Sequence, residues 1–389
     1  MKPDTPDHGE DSLATLLSTP YEGADGSITP PIVQSSLFAF DSYDAFEDRM
    51  AGRSDQSIYS RVQNPTVRAF ENLMASAEKT EDAIGFASGM AAISSTVMAF
   101  AKPGQKIVCI ENVYPDSYRL FERMLRPIGI ETEYVSPARM LDDPSILDGA
   151  AVVYLESPNS IKFETVDLRR TADEAGKRGA ITIIDNSWAT PVFQRPSELG
   201  IDLVLHSASK YISGHSDTVA GVVAGSKAHL DVIRDLTQPL LGGKLAPFEA
   251  WLLVRGLRTL VPRMKTHQAS ANTFIDRLAG LDTVHRINAP GPNSAAGLHG
   301  RSGLFSIELD PAVDIRAFCN VLRLFKLGVS WGGFESLVLP AKVGIAQAGE
   351  HNSMRTFKVP ENLVRISIGL EETDDLWADF EKALTKATA

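Results

Sequence analysis

Cysteine is scarce. Only Cys109 and Cys319 occur in 389 residues, far apart along the chain. Two thiols so placed make neither a disulfide framework nor a paired metal-ligand spacing, so no metal site is expected and the usage fits a reducing cytoplasm. Positive charge is also short. Lys and Arg number 38 against 49 Asp and Glu, for a net charge of −11, and the pI is near 5.3. That balance argues against a nucleic-acid footprint. No apolar run reaches the ~18 residues a spanning helix requires, so no membrane partner is expected. The first residues are polar and acidic, unlike a secretory leader, and a cytoplasmic location is expected. Neither the dinucleotide glycine fingerprint nor a Walker sequence is present, which disfavours an NAD-linked oxidoreductase.

What remains is an ordinary globular composition, 43% hydrophobic and 22% charged. The length suits two or three domains rather than one core. Residues 1–12 are charged and proline-containing and are expected to fray. Residues 28–36 contain Pro30 and Pro31, so they read as an extended arm. Such an arm, packing on nothing of its own, is expected to wrap a partner subunit. Ser42 is placed to cap a short helix over 43–51.

From residue 61 onward strands alternate with helices. Helical spacing runs through 66–78, about 116–127 and 167–179. Strands are predicted at 83–87, 106–111, 131–135, 151–155, 181–185, 202–206 and 219–224. The alternation predicts an α/β fold with a mostly parallel sheet covered on both faces. After about residue 250, long helices are predicted at 247–260 and 266–280. Strands at 303–309 and 363–368 and helices at about 313–327 and 373–387 then make a smaller α/β domain. Residues 340–360 show no period and read as a mobile loop. The division expected is an N-terminal arm over 1–60, a first domain over 61–250 and a second over 251–389.

Ligands on such sheets bind beyond the carboxyl ends of the strands. Ser88, Tyr114, Glu156, Asn159, Asp185 and Ser207 to Lys210 all fall at or just after those ends. Lys210 sits in Ser207-Ala208-Ser209-Lys210-Tyr211, directly after a buried-looking strand, and Asp185 ends an earlier one. A strand-end lysine with a strand-end aspartate is what pyridoxal phosphate (PLP) chemistry needs. The amine forms the Schiff base, and the carboxylate holds a proton on the pyridine nitrogen. Ser88-Gly89-Met90 joins a strand to a helix start, which aims backbone N–H groups at an anion. Arg365 lies inside an apolar strand, where a guanidinium is costly unless it meets an anion.

These segments resemble the cysteine/methionine-metabolism family of PLP enzymes. The motifs that carry the resemblance are Tyr59-Ser60-Arg61, Ser88-Gly89-Met90, Asp185-Asn186, Ser-Ala-Ser-Lys-Tyr over 207–211 and Gly214-His215-Ser216-Asp217. Ser330-Trp331-Gly332-Gly333-Phe334-Glu335-Ser336-Leu337 and the strand over 363–369 continue it, so it covers nearly the whole chain. It implies a fold-type I enzyme, a homotetramer with shared active sites, and a small amino acid as substrate. Lys210 would carry the cofactor and shuttle protons, and Asp185 would meet the ring nitrogen. Tyr114 would stack on the ring and help as a base. Ser88, Gly89, Met90, Ser207 and Ser209 would hold the phosphate, joined by Tyr59 and Arg61 from a neighbouring subunit. Arg365, Asn159 and the Ser330 backbone would hold the substrate carboxylate.

The reaction implied is elimination at Cγ or Cβ of a sulfur-containing or related amino acid such as cystathionine or methionine. The alternative is a γ-replacement synthase adding a thiol to an activated homoserine. Val329 stands where family members acting on cystathionine often carry Glu. Trp331 resembles a bacterial β-lyase motif. Pro115-Asp116 replaces the Gly-Cys of methionine γ-lyases. Asp116 near the substrate's distal end would favour a cationic tail, as in canavanine, or would merely cap the helix that begins there.

Overall fold

The computed structural model describes residues 12–23 and 26–388. The fraying expected of residues 1–12 therefore lies almost wholly outside the described residues. Ser12 itself caps a helix, Leu13–Ser18, by accepting from Thr15 N at 3.3 Å.

Seven strands form the first sheet: β1 Asp82–Phe86, β2 Lys106–Ile110, β3 Glu131–Val135, β4 Ala150–Glu156, β5 Ile181–Asp185, β6 Leu203–His206 and β7 Gly221–Gly225. Their order is β1-β7-β6-β5-β4-β2-β3. Only β7 runs against its neighbours. The strands read as continuous apolar runs because both faces are covered. Ile107 and Cys109 of β2 belong to one core, with Ile183 and Leu205, while Val108 and Ile110 belong to another, with Ile184 and Val204. Alternation along one strand thus feeds two helical layers.

A second sheet follows: β8 Val284–Asn288, β9 Leu304–Leu309, β10 Lys326–Leu327, β11 Leu337–Pro340 and β12 Leu363–Ser367. Its order is β10-β11-β12-β9-β8, and only the β10–β11 pair is parallel. Between the sheets run helices Pro247–Arg258 and Leu260–Leu278, which break at Thr259.

Three expectations need correction. The helix predicted over 313–327 spans only Ile315–Val321. The Asp379 carboxylate then accepts from Arg323 N and Leu324 N, at 2.9 and 2.8 Å, and draws the chain toward β10. Residues 340–360 are not a featureless loop: they hold helices Ala341–Ile345 and Ser353–Thr356. Each is too short to show a helical period. The arm also packs on its own chain. Thr66 Oγ1 accepts from Val33 N at 2.9 Å and donates to Pro31 O at 2.7 Å, and Asn64 Nδ2 donates to Val33 O. Ser42 does cap Tyr43–Met50, by accepting from Ala45 N.

Candidate active site

The turn after β6 carries Lys210 and is fixed from several sides. Ser213 N donates to Ala208 O and Gly214 N to Lys210 O, at 2.9 and 2.8 Å. Buried Arg263 donates to Tyr211 O and Gly256 O, at 2.7 and 2.8 Å. Gly332 lies against the lysine's backbone, since a Cβ there would come within 2.9 Å of Tyr211 N and 3.2 Å of Lys210 Cβ. The loop from the second sheet thereby brings Ser330 to the lysine. Lys210 Nζ donates to Ser330 Oγ at 2.5 Å and lies 5.4 Å from the Trp331 ring centroid. Burial lowers the Lys210 amine to about 8, Arg365's charge pushes the same way, and Asp185 opposes both.

Arg365 reaches the same loop from β12. Its Nη2 donates to Ser330 O at 2.9 Å, and no carboxylate among the described residues pairs with it. Burial lowers the guanidinium to about 10. Ser330 adopts φ +74 to stand between the two cations, a backbone conformation rare for a residue with a side chain. Its carbonyl is spent on Arg365, and its hydroxyl meets Lys210.

Asp185 ends β5 beside Glu156, its register partner at the end of β4. Ser187, which sequence reasoning passed over, orders this corner. Its N and Oγ donate to Asp185 Oδ1 at 2.9 and 2.5 Å, and its Oγ accepts from Ser207 N at 2.6 Å. A serine two residues after an aspartate is the local signal that marks such a turn. Asp185 Oδ2 accepts from nothing among the described residues. Burial raises the Asp185 carboxyl, opposed by Ser187, His206 and Lys210. Burial raises Glu156 too, helped by Asp185's charge.

Glu156 positions Tyr114. Its Oε1 accepts from Tyr114 N at 2.8 Å, and its Oε2 accepts from Ser160 N and Oγ. The Tyr114 side chain stays 41% exposed, so a face remains open for stacking. Its hydroxyl donates to Asp116 Oδ2 at 3.0 Å. Burial and Asp116 push that phenol above its ordinary range, which holds the proton on Tyr114 in the resting site. Asp116 does not cap its helix: Tyr114 is the N-cap residue of Pro115–Leu120 and no side chain caps it. The Asp116 carboxylate pairs with Arg119, which also reaches Gln347.

The Ser88-Gly89-Met90 turn opens helix Gly89–Phe100, and Ser88 Oγ caps it by accepting from Ala91 N at 3.0 Å. A Cβ on Gly89 would stand 2.9 Å from Ser207 Cβ, so the glycine allows the helix start to close on the lysine turn. Ser207 Oγ has no hydrogen-bond partner among the described residues. Ser209 Oγ donates to Ala220 O and accepts from Ala220 N, so it must release that carbonyl before it donates elsewhere.

Asn159 stands apart from the cluster, and Tyr59 and Arg61, expected from a neighbouring subunit, lie away from it within their own chain. Asn159 is committed elsewhere: its Nδ2 donates to Glu111 O and Glu164 Oε2, and its Oδ1 accepts from Glu164 N. That leaves no free donor for a carboxylate. Arg61 donates to Pro239 O at 2.7 Å and lies over the Tyr59 ring. Neither Tyr59 nor Arg61 hydrogen-bonds to the Lys210 cluster.

These donors suit PLP. The helix start closed on Ser207 offers backbone N–H groups and a hydroxyl to a phosphate. The free Asp185 oxygen suits a protonated ring nitrogen, and the lowered lysine amine suits a carbonyl. Among the described residues there is no cluster suited to a metal ion and no helix long and apolar enough to cross a membrane.

Comparison with known proteins agrees. Residues 15–385 match the family described as Cys/Met metabolism PLP-dependent enzyme. L-methionine gamma-lyase of Pseudomonas putida is 35% identical over 374 residues, which cover 94% of each chain. Cystathionine gamma-lyase of Bacillus subtilis (strain 168) is 33% identical, over 92% of this chain and 94% of its own. The crystal structure of cystathionine gamma synthase from Xanthomonas oryzae pv. oryzae, in complex with aminoacrylate and cysteine, superposes with a TM-score of 0.88. It is 32% identical and covers 97% of this chain and 99% of its own. With the family pattern spanning nearly every residue, this chain belongs to the Cys/Met metabolism family of PLP-dependent enzymes.

Proposed function

We propose that the protein is a lyase cleaving the Cγ–heteroatom bond, or the Cβ–S bond, of an amino acid. The observation behind this reading is the meeting at Ser330 of Lys210 Nζ and the Arg365 guanidinium with no carboxylate between them. The substrate's α-carboxylate supplies the missing anion, in a charge-assisted pair with Arg365. Bound PLP supplies an electron sink for charge developing at Cα. Gly89, Met90, Ser88, Ser207 and Ser209 would hold its phosphate, Asp185 would pair with its ring nitrogen, and Tyr114 would lie against its ring.

Lys210 removes the Cα proton and, where the bond broken is at Cγ, a Cβ proton as well. Its lowered amine is partly neutral near neutral pH, which a general base requires. Tyr114 Oη, protonated at rest, hands a proton to the departing heteroatom. The arm over residues 1–60 belongs to assembly in this reading. Ile28, Leu37, Tyr43 and Met50 are exposed on it, and a second copy covers them. Tyr59 and Arg61 of the partner subunit then complete the phosphate site, in a homotetramer with domains over 61–250 and 251–389.

The distal substrate group is read from Asp116. That carboxylate already accepts a guanidinium, Arg119's. A guanidino-oxy tail such as canavanine's competes for the same oxygens and gains the same pairing. A product survey tests this. The PLP-loaded enzyme is incubated with canavanine, cystathionine and methionine without added thiol. Hydroxyguanidine released from canavanine, with homoserine where water adds at Cγ or 2-oxobutyrate and ammonia where it does not, supports the cationic-tail reading, and pyruvate or 2-oxobutyrate from cystathionine supports a lyase without it. No product from any of the three moves the assignment to γ-replacement, which the likeness to the Xanthomonas synthase favours. An acylated homoserine with a thiol then gives the product.

A further inference from the structure

Strand β9 reads Leu304-Phe305-Ser306-Ile307-Glu308-Leu309, and Ser306 at its centre is fully buried. A hydroxyl there is costly unless it is used. Alternation divides the strand between two faces. Phe305, Ile307 and Leu309 enter the second sheet's own core with Val364 and Ile366 of β12. Leu304 belongs instead to the core that holds Ala208, Tyr211 and Trp188 of the first sheet, and Ser306 shares its face. Ser306 also pairs directly with Arg365 across the ladder, as Leu304 pairs with Ser367. Residues opposite each other in antiparallel strands present their side chains on one face, with Cβ atoms roughly 4.5–5.5 Å apart. Ser306 is therefore the cross-strand neighbour of the arginine.

Two buried hydrogen bonds tie this end of β9 to the first sheet. Ser306 Oγ donates to Ile161 O at 2.6 Å and accepts from Asn288 Nδ2 at 3.2 Å. Trp188 Nε1 donates to Leu304 O at 2.8 Å. Each tie starts from a corner of the candidate site. Trp188 follows the turn of Asp185 and Ser187, and Ile161 lies in the loop after β4. Asn159 closes that loop, since its N donates to Glu164 O and its Oδ1 accepts from Glu164 N, both at 2.9 Å. Within it Ile161 takes φ +73, an outlier for a β-branched residue. Its side chain packs with Leu363 of β12 and with Ala341, Met354 and Val359, while its carbonyl meets Ser306. Backbone held in such a conformation persists only where its surroundings over-determine it, and it gathers at functional sites.

We propose that Ser306 is a positioning residue for Arg365. Its hydroxyl, anchored on the Ile161 carbonyl, fixes how far the arginine's strand stands from the lysine turn, and so where the guanidinium meets a ligand carboxylate. This rests on Arg365 being the carboxylate site. Trp188 holds the same strand two residues away, from the Asp185 corner. Without the Ser306 hydroxyl, Ile161 O loses its donor, the strained loop is free to relax, and β9 shifts together with β12, to which it is hydrogen-bonded.

The test is binding of glycine and of methylamine to the PLP-loaded enzyme, each followed by the change in visible absorbance, alongside PLP titration of the apoenzyme and thermal melting. Glycine carries a carboxylate beside its amine, and methylamine has the amine alone. Ser306→Ala should weaken glycine about tenfold, the order of one buried hydrogen bond, and leave methylamine and PLP unchanged. In an Arg365→Met background the same substitution should no longer move the ratio of the two affinities, because it acts through the arginine. If Ser306→Ala does not fold, Trp188→Phe removes the other donor to β9 and should lower the same ratio. Lower melting with an unmoved ratio overturns the proposal, since a mere staple between the sheets behaves that way. A fall in the ratio that persists undiminished in the Arg365→Met background overturns it too. Arg365→Met alone separates the two levels. If it lowers the ratio while Ser306→Ala does not, only the positioning role fails. If it leaves the ratio intact, the carboxylate assignment of Arg365 falls and the proposal with it.

Discussion

Lys210 and Arg365 set each other's chemistry. Arg365 helps to lower the lysine amine to about 8. The neutral amine is the form that reacts with a carbonyl. Capture of PLP by the apoenzyme should therefore quicken as pH rises and level off above about pH 8 in stopped-flow absorbance. Replacing Arg365 with Met removes one cause of the lowering, so the midpoint should move upward. The same variant should lose the proposed charged contact to the substrate carboxylate, worth about 2–5 kcal/mol. We expect kcat/KM to fall by roughly 10²–10³-fold with PLP affinity little changed. Lys210→Ala should abolish both turnover and the visible absorbance of lysine-linked PLP. A variant that keeps both removes Lys210 from the centre of the site. The arginine was legible in the sequence because a cation inside an apolar strand has few explanations. Asn159 misled for the opposite reason: amides are as often turn-formers as ligand donors, and only the hydrogen bonds to Glu111 and Glu164 distinguish the two.

At the scale of elements, the proposed phosphate site depends on how closely helix Gly89–Phe100 meets the lysine turn. Gly89→Ala places a Cβ 2.9 Å from Ser207 Cβ, where neither backbone gives way easily. The expected cost is about 1–3 kcal/mol of stability, with PLP binding weakened more than substrate binding. Denaturant unfolding and PLP titration on the one variant separate these effects. If PLP affinity holds while stability falls, the helix start is not the phosphate site. The strands of the first sheet were readable almost to the residue, because each is a short apolar run bounded by polar turns. The second sheet was less so. β10 has two residues, β11 ends in Pro340, and β8 alternates weakly. Their identity comes from their neighbours rather than from their own residues.

The whole molecule joins the two sheets at the active site. Asp185 ends β5 and Lys210 follows β6 of the first sheet, while Arg365 lies on β12 of the second and Ser330 on the loop between β10 and β11. The segment over 341–360 adds a second bridge. Thr356 Oγ1 and Tyr118 Oη are 3.0 Å apart, and Phe357 packs edge-on against Tyr118 and Tyr134. A ligand gripped from the first sheet and closed over by the second should stabilise both together. PLP at about a hundred times its Kd should add roughly 2.7 kcal/mol, seen as one melting transition that moves upward as a whole. A calorimetric trace in which only part of the heat absorption shifts would show the sheets melting independently.

Composition and pattern determined the alternation of strands and helices and the mostly parallel sheet, and singled out the lysine, aspartate and arginine of the candidate site. Each of these rests on local chemistry: an apolar period, a strand end, or a charge where solvent is absent. Tertiary structure alone decided which side chains are free to act. It spent Asn159 on a turn, paired Asp116 with Arg119, and set the Tyr114 hydroxyl on Asp116. It also brought Ser330 between two cations and set Glu78 against His206, 128 residues apart in the chain. A hydrogen bond between distant residues is chosen by packing, and packing has no local signature to read.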